Sequence, residues 1–126
     1  TRTMKRLAIA ALAIGLAACN SDSTSPTVSI VGSYSLQKIN GFNLPFTFSD
    51  GVTVTSDVLR LNQDGSYSET EQDSDGFIVQ DIGFYSNING SITFTDQTSG
   101  KTFLGSLSGS VLTVIVGGNT EAFQHN

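Results

Sequence analysis

Residues 52–72, VTVTSDVLRLNQDGSYSETEQ, decide the fold of this chain. Apolar and polar residues alternate through both halves of the stretch, which is the pattern of a β-strand with one buried face. Asp64-Gly65 separates the halves, and this pair tolerates the positive φ angles of a tight hairpin turn. The stretch therefore predicts two antiparallel strands, at residues 52–61 and 66–72.

The same pattern continues through residues 30–126, where no window has helical spacing. Short loops favour antiparallel neighbours, because a parallel crossover needs roughly a dozen residues or more. Pro45 predicts an edge or a loop at residues 42–48. We thus predict one all-β, antiparallel domain of about eight strands, of which the other six are residues 31–39, 77–86, 91–95, 102–108, 111–116 and 120–124.

Alternation also predicts the core, because successive residues of a strand point to opposite faces of the sheet. Ile92 and Phe94 share one face of their strand, whereas Thr93 and Thr95 share the other. The full predicted core consists of Tyr34, Leu36, Val54, Leu59, Leu61, Tyr67, Phe84, Ile92, Phe94, Phe103, Leu107, Leu112, Val114, Val116 and Phe123.

The N-terminal residues have the composition of a targeting segment. From Met4, the expected start, the chain runs through Lys5 and Arg6 into twelve apolar or small residues, 7–18. A basic start, a short apolar core and small residues before a cleavage site describe a secretory signal peptide. Because a membrane-spanning helix needs about 20 apolar residues, this segment is too short to be one. Residues 1–18 are therefore predicted to be a signal peptide.

The end of this segment, Leu16-Ala17-Ala18-Cys19, resembles the lipobox of bacterial lipoproteins. The resemblance implies that the chain is cut before Cys19 and that this cysteine carries lipid, and several acyl chains on one residue give stable membrane attachment. We therefore expect a lipid-anchored protein of the bacterial cell envelope, in the outer membrane or facing the periplasm if the organism has two membranes. Residues 19–29 are rich in Ser and Thr and predict a flexible linker after the lipidated cysteine.

The chain is acidic, with 11 Asp and Glu against 6 Lys and Arg and a formal charge of −5. From Cys19 onward only Lys38, Arg60 and Lys101 oppose all eleven carboxylates, which gives −8. An acidic chain without a basic patch argues against nucleic acid as a partner. A single cysteine excludes an internal disulfide.

Four segments carry a resemblance to a known family: residues 31–36 (VGSYSL), 59–67 (LRLNQDGSY), 89–94 (NGSITF) and 105–114 (GSLSGSVLTV). Their order resembles bacterial lipocalin-like lipoprotein domains, whose members usually have Trp where Tyr34 stands. The resemblance implies a small up-and-down β-barrel and carries over no catalytic residue. Such a barrel is either filled by side chains or holds one small ligand. The inward phenylalanines favour a filled interior, and an open interior is the alternative.

One carboxylate cluster, formed by Glu71, Asp73 and Asp75, resembles the start of a calcium loop that turns at Gly76. The resemblance ends at the twelfth position of such a loop, where a Glu is expected and Ile82 stands. We therefore predict an acidic hairpin turn and no metal site, with these three carboxylates as the calcium candidates.

The remaining residues point to no catalytic group. His125 is the only histidine and lies near the C-terminus, so we expect it to be exposed to solvent. Glu69 and Glu71 occupy alternate positions of one predicted strand. Two such carboxylates can serve a glycosidase, but solvated acids at a strand edge are the commoner arrangement. We predict no catalytic residue, no cofactor and no enzymatic activity.

The sequence thus favours a lipoprotein whose barrel is a non-catalytic binding or interaction module. The predicted partners are the membrane, through acylated Cys19, and either a small apolar ligand or an envelope protein. The alternative is a protein-directed inhibitor or envelope stress-response partner that uses the barrel mouth. In both cases the candidate contact residues are Phe42, Leu44, Phe46 and Phe48, which form an exposed apolar element in this interpretation.

Overall fold

The computed structural model describes residues 29–126, and every structural statement below refers to that part of the chain. The predicted signal peptide, lipobox and Cys19 lie outside the described residues. No helix within residues 29–126 is long and apolar enough to cross a membrane. The described strands are β1 (Gly32–Ile39), β2 (Phe42–Asn43), β3 (Phe46–Thr47), β4 (Thr53–Leu61), β5 (Ser66–Asp73), β6 (Ile78–Ile88), β7 (Ser91–Asp96), β8 (Thr102–Ser108), β9 (Val111–Val116) and β10 (Asn119–His125).

The longer strands form a closed antiparallel barrel. From β4 to β10 each strand pairs with the next one along the chain, and β1 pairs with both β10 and β4. Tyr34 of β1 accordingly lies opposite Leu59 on one side and opposite His125 on the other. The predicted all-β, up-and-down barrel of eight strands is confirmed. All of its pairings lie within residues 32–125, so a chain that starts at residue 20 contains the whole barrel.

Residues 40–52 connect β1 to β4 at one end of the barrel. The two short strands in this connection each extend a neighbouring long strand, with Phe42 opposite Ile39 and Phe46 opposite Val54. Pro45 lies between these short strands, in agreement with the predicted edge or loop.

The apolar core fills the opposite end of the barrel, where the chain enters β1, and continues along β1 and β4 to the connection at residues 40–52. Tyr34, Tyr67, Phe94 and Phe123 are fully buried, and each such side chain contributes about 1.5–3 kcal/mol through burial. The rings of Tyr67 and Phe94 meet edge to face with centroids 5.4 Å apart. The Tyr34 hydroxyl donates a 2.7 Å hydrogen bond to the Ile30 carbonyl, which satisfies the buried phenol and fastens the entering segment to the barrel.

Two of the predicted core residues are exposed, and for these the prediction was wrong. Phe84 is 55% exposed because Gly83 takes the inward position on β6, opposite Tyr67. Val116 points inward as its alternation predicts, but it lines a cavity and is 37% exposed. The other predicted core residues are buried or pack half-buried against the core.

His125 is a further correction, because it is half-buried rather than exposed. It belongs to β10, which closes the barrel against β1, and this pairing orders the end of the chain. Its ring packs edge-on against Tyr34, with ring centroids 4.6 Å apart. His125 is therefore a packing residue at the apolar end of the barrel.

Gly83→Ala tests the alignment of β6 in the barrel. A Cβ atom at residue 83 would lie 2.6 Å from Cε1 of Tyr67 and would overlap the carbonyl oxygen of Thr95. Because overpacking an interior costs about 1–3 kcal/mol, we expect a loss of that size in the free energy of unfolding, measured by urea denaturation. Ser86→Ala, at an outward position of the same strand, is the control. Equal stability of the two variants would contradict the described packing.

Candidate functional site

The interior of the barrel changes from apolar to acidic along its axis. Inward positions of β4 and β5 lie directly opposite one another in the antiparallel register. Counted from the apolar end, Leu61 lies opposite Tyr67, Leu59 opposite Glu69, and Asp57 opposite Glu71. The inward faces of β4 and β5 therefore begin with apolar side chains at the apolar end and continue with carboxylates.

These carboxylates surround a cavity of about 260 Å³, at the barrel end that residues 40–52 also occupy. Six of the residues that line it are carboxylates, and they include all three glutamates of the chain. One cationic side chain, one hydroxyl and two apolar side chains complete the lining as the described residues form it. The lining consists of Asp57, Glu69, Glu71, Asp81, Asp96, Ser99, Lys101, Phe103, Val116 and Glu121.

Three of the carboxylates come together at the centre of this site. Asp57, Glu69 and Glu121 each contribute a carboxylate oxygen, and these oxygens all lie within 4.8 Å of one another. Asp57 and Glu69 belong to neighbouring strands, whereas Glu121 approaches from β10, beyond β1. Barrel closure is what brings Glu121 to the other two. We call these three residues the carboxylate triad.

The pKa values of all three triad carboxyl groups are raised, because burial and the negative charge of neighbouring carboxylates disfavour the ionised form. Burial, followed by the charge of Glu69, raises the pKa of Asp57 to about 11. Burial also raises the pKa of Glu69. Burial and then the charge of Glu69 raise the pKa of Glu121 to about 7. A positive charge placed among these groups would favour their ionised forms.

Asp57 is the most deeply buried member of the triad. The residue is 2% exposed and shares a hydrogen bond with Glu69, and its oxygen Oδ1 has no partner outside that pair among the described residues. An unpaired buried polar atom is uncommon in folded proteins and costs about 1–3 kcal/mol.

Two further carboxylates of the lining, on β6 and β7, accept hydrogen bonds from other residues. Asp81 accepts a 2.9 Å hydrogen bond from the hydroxyl of Tyr67. Asp96 accepts hydrogen bonds from the Ser99 hydroxyl and the Thr98 amide, at 2.8 and 2.9 Å, and these hold its pKa below the usual range. Asp96 therefore ionises readily, whereas burial raises the pKa of Asp81 despite its hydrogen bond from Tyr67.

The predicted contact residues lie at the same end of the barrel but do not belong to the lining of the cavity. Phe42 is 66% exposed, as expected of a contact residue. Leu44, Phe46 and Phe48 are half-buried and pack against the core, so they do not form the exposed apolar element that was expected. The segment mainly covers the core beside β1 and β4.

The calcium candidates of the β5–β6 turn are not brought to a common point. Glu71 lines the cavity, and burial followed by its neighbour Asp73 raises its pKa to about 7. Asp75 instead accepts a 2.9 Å hydrogen bond from the amide of Phe77 within the turn. The carboxylates that do converge belong to three different strands.

The interpretation of Glu69 and Glu71 as solvated acids at a strand edge was wrong, because β5 is paired on both sides and both residues line the cavity. The signal that could have placed them is their alternation with Tyr67, a predicted core residue on the same strand. Asp57 alternates with the predicted core residues Leu59 and Leu61 in the same way, and this alternation places it inside the barrel. Sequence alone offered no comparable signal for the arrival of Glu121.

Two solved structures share this fold. One is a lipocalin-like protein from Bacteroides uniformis, with a TM-score of 0.53 and 21% identity over 77% of this chain and 98% of that protein. The other is an uncharacterized protein from Bacteroides eggerthii, with a TM-score of 0.51 and 16% identity over 78% of this chain and 100% of that protein. No family model and no curated protein matches the chain. The chain thus has a lipocalin-like fold, as the resemblance predicted.

The raised pKa values predict that the barrel loses stability as the pH rises from about 4.5 to 7. In this range the unfolded chain ionises Glu71 and Glu121 while the folded barrel keeps them protonated, so ionisation favours unfolding. Asp64 and Asp96, whose pKa values are lowered, act in the opposite direction and only at lower pH.

Thermal unfolding in buffer with a chelator, followed across this pH range, measures the effect. We expect the melting temperature to fall with rising pH, and Glu121→Gln to make the fall shallower. Asp75→Asn removes a carboxylate from the surface turn and is the control that keeps the original slope. A melting temperature that rises steadily from pH 4.5 to 7 would contradict buried, protonated glutamates.

Proposed function

We propose that this protein is a lipid-anchored lipoprotein of the bacterial cell envelope whose barrel is a non-catalytic binding module for a small cationic ligand. The observation that carries the proposal is the cavity, in which six carboxylates surround a space of about 260 Å³ and a single lysine opposes them. Pockets of this kind bind ligands through a few convergent polar groups, and here those groups are acidic.

The lining favours a cationic ligand over the small apolar ligand that the sequence suggested. An apolar molecule would cover the carboxylates without pairing them, at a cost of about 1–3 kcal/mol for each unsatisfied group. A cation pairs with the same groups and is stabilised by their charge. Phe103 and Val116 add apolar surface to the lining, and an aromatic face also attracts cations.

The topology supports an anchor that leaves the cavity accessible. Residues 29 and 30, the first described ones, lie at the apolar end, where Ile30 is buried and accepts the hydrogen bond from Tyr34. The cavity lies at the other end of the strands. We infer that an anchor at Cys19 joins the barrel through this end and leaves the cavity end accessible to a ligand.

The protein-directed alternative, an inhibitor or stress-response partner, has less support. Of its four candidate contact residues only Phe42 is highly exposed, while the other three pack against the core. One exposed ring is a small surface compared with the lining of the cavity.

The binding function is tested by isothermal titration of residues 20–126 with spermidine, choline, Ca²⁺ and Mg²⁺, with laurate as the apolar probe. We expect binding of at least one cation and no binding of laurate. The double variant Glu71→Gln/Glu121→Gln removes two lining carboxyl groups that a bound cation would ionise, and it should weaken cation binding at least about tenfold, which corresponds to about 1.4 kcal/mol.

Asp75→Asn is the matched control for this experiment, because it removes one carboxylate outside the cavity. Binding of laurate alone, or of no probe at all, would contradict the proposed ligand class. Hydrolysis of an aryl glycoside that is lost in Asp57→Asn would show instead that the cavity is catalytic.

The anchor is tested by Cys19→Ser in the full-length chain. Because the thiol is the proposed site of lipid attachment, we expect the variant to escape lipidation and to move from the membrane fraction to the soluble fraction. Ser21→Ala, in the linker, is the control that stays in the membrane fraction. Membrane fractionation of Cys19→Ser that matches the parent protein would show that Cys19 is not the anchor.

A further inference from the structure

We propose that the carboxylate triad of Asp57, Glu69 and Glu121 is a binding site for a hard divalent cation, with Ca²⁺ as the best-fitting ion. This inference rests on the proposed function and narrows its ligand from cations in general to one class of metal ion. The triad contains none of the calcium candidates predicted from the sequence, of which Glu71 and Asp73 belong to β5 and Asp75 to the turn after it.

The spacing of the triad matches a single ion. One oxygen from each carboxylate lies within 4.8 Å of the other two. Ca²⁺ binds oxygen at about 2.3–2.6 Å, so one ion can bridge oxygens up to roughly twice that distance apart. The three oxygens are thus close enough to share an ion without movement of the strands that carry them.

Asp57 supplies an independent reason to expect a ligand. Only 2% of the residue is exposed, and apart from its hydrogen bond with Glu69, a member of the same triad, its oxygen Oδ1 has no partner among residues 29–126. The residue also belongs to the lining of the cavity, so a ligand can reach it. A buried carboxylate oxygen normally has a donor or a metal ion as its partner. A cation at the triad supplies that partner.

The donor atoms select the class of ion. All three are carboxylate oxygens, which suit Mg²⁺, Ca²⁺ and Mn²⁺, whereas zinc and copper sites usually include nitrogen or sulfur. Mg²⁺ keeps several waters and uses one or two carboxylates, while Ca²⁺ accepts roughly six to eight oxygens in flexible geometry. A set of three carboxylates, with Asp57 buried and the other two half-buried, therefore fits Ca²⁺ better than Mg²⁺.

The surroundings of the triad can complete the coordination shell. Glu71 lies opposite Asp57 in the strand register and lines the same cavity. The cavity has room for several waters beside the ion, because a water occupies about 30 Å³ in the liquid. The ligands come from three paired strands, which hold them more rigidly than a surface turn would.

The test is isothermal titration of residues 20–126 with CaCl₂, MgCl₂ and MnCl₂, together with thermal unfolding in each salt. We expect one Ca²⁺ per chain, weaker binding of Mg²⁺, and a melting temperature that rises with Ca²⁺ concentration because the ion binds only the folded barrel. Asp57→Asn and, separately, Glu121→Gln should weaken Ca²⁺ binding at least about tenfold, since even changes around a metal ligand cost about 10–100-fold.

Asp75→Asn is again the matched control and should keep the affinity of the parent protein. Both triad variants replace an acid by its amide of similar size, and circular dichroism checks that each retains the β-sheet signal. Loss of Ca²⁺ binding in Asp75→Asn with retention in Asp57→Asn would place the ion on the surface turn and overturn the inference.

A second outcome separates this inference from the proposed function. Binding of spermidine or choline, without any Ca²⁺ heat or thermal shift, would overturn the metal site and leave the cation-binding module standing. Absence of binding by every cation would overturn both. A preference for Mg²⁺ over Ca²⁺ would contradict the assignment of the ion.

Discussion

The pairing of β1 with both β4 and β10 is the constraint on which the rest of the structure depends. It converts a sheet into a barrel and so fixes, for each strand, which alternate side chains point into a common interior. It also carries Glu121 of β10 to the carboxylates of β4 and β5. Without closure the same residues would lie on one face of an open sheet, and no cavity would exist.

The interior then divides into an apolar region, whose burial stabilises the fold, and a carboxylate-lined cavity, whose burial destabilises it. Tyr34, Tyr67 and Phe94 bury large apolar surfaces at or near the apolar end, and the Tyr34 hydroxyl is satisfied by Ile30. Asp57 and its neighbours are buried at a cost, because charged groups lose hydration inside a protein. Side chains whose burial destabilises the fold are typical of functional sites, and here these side chains line the cavity.

The sequence predicted much of the fold because alternation and turn residues are local signals. Asp64-Gly65 marked the hairpin between β4 and β5, and the face shared by Ile92 and Phe94 was predicted correctly. Phe84 was wrongly assigned to the core because it is a large apolar residue and the sequence does not show which face of β6 points inward. Gly83 takes the inward position, since its missing side chain leaves room for the Tyr67 ring. The triad could not be predicted, because Glu121 and Asp57 meet only through strand pairings distant in sequence.

The central claim, that carboxylates from three strands converge in the barrel interior, is tested most directly by a carbon-13 NMR titration of the side-chain carboxyl groups. Burial and Glu69 raise the pKa of Asp57 to about 11, so its signal should show a protonated acid throughout the neutral range. Asp64, whose pKa is lowered by hydrogen bonds from Ser66, should ionise below the usual range. Titration of Asp57 together with Asp64 in the acid range would contradict the account.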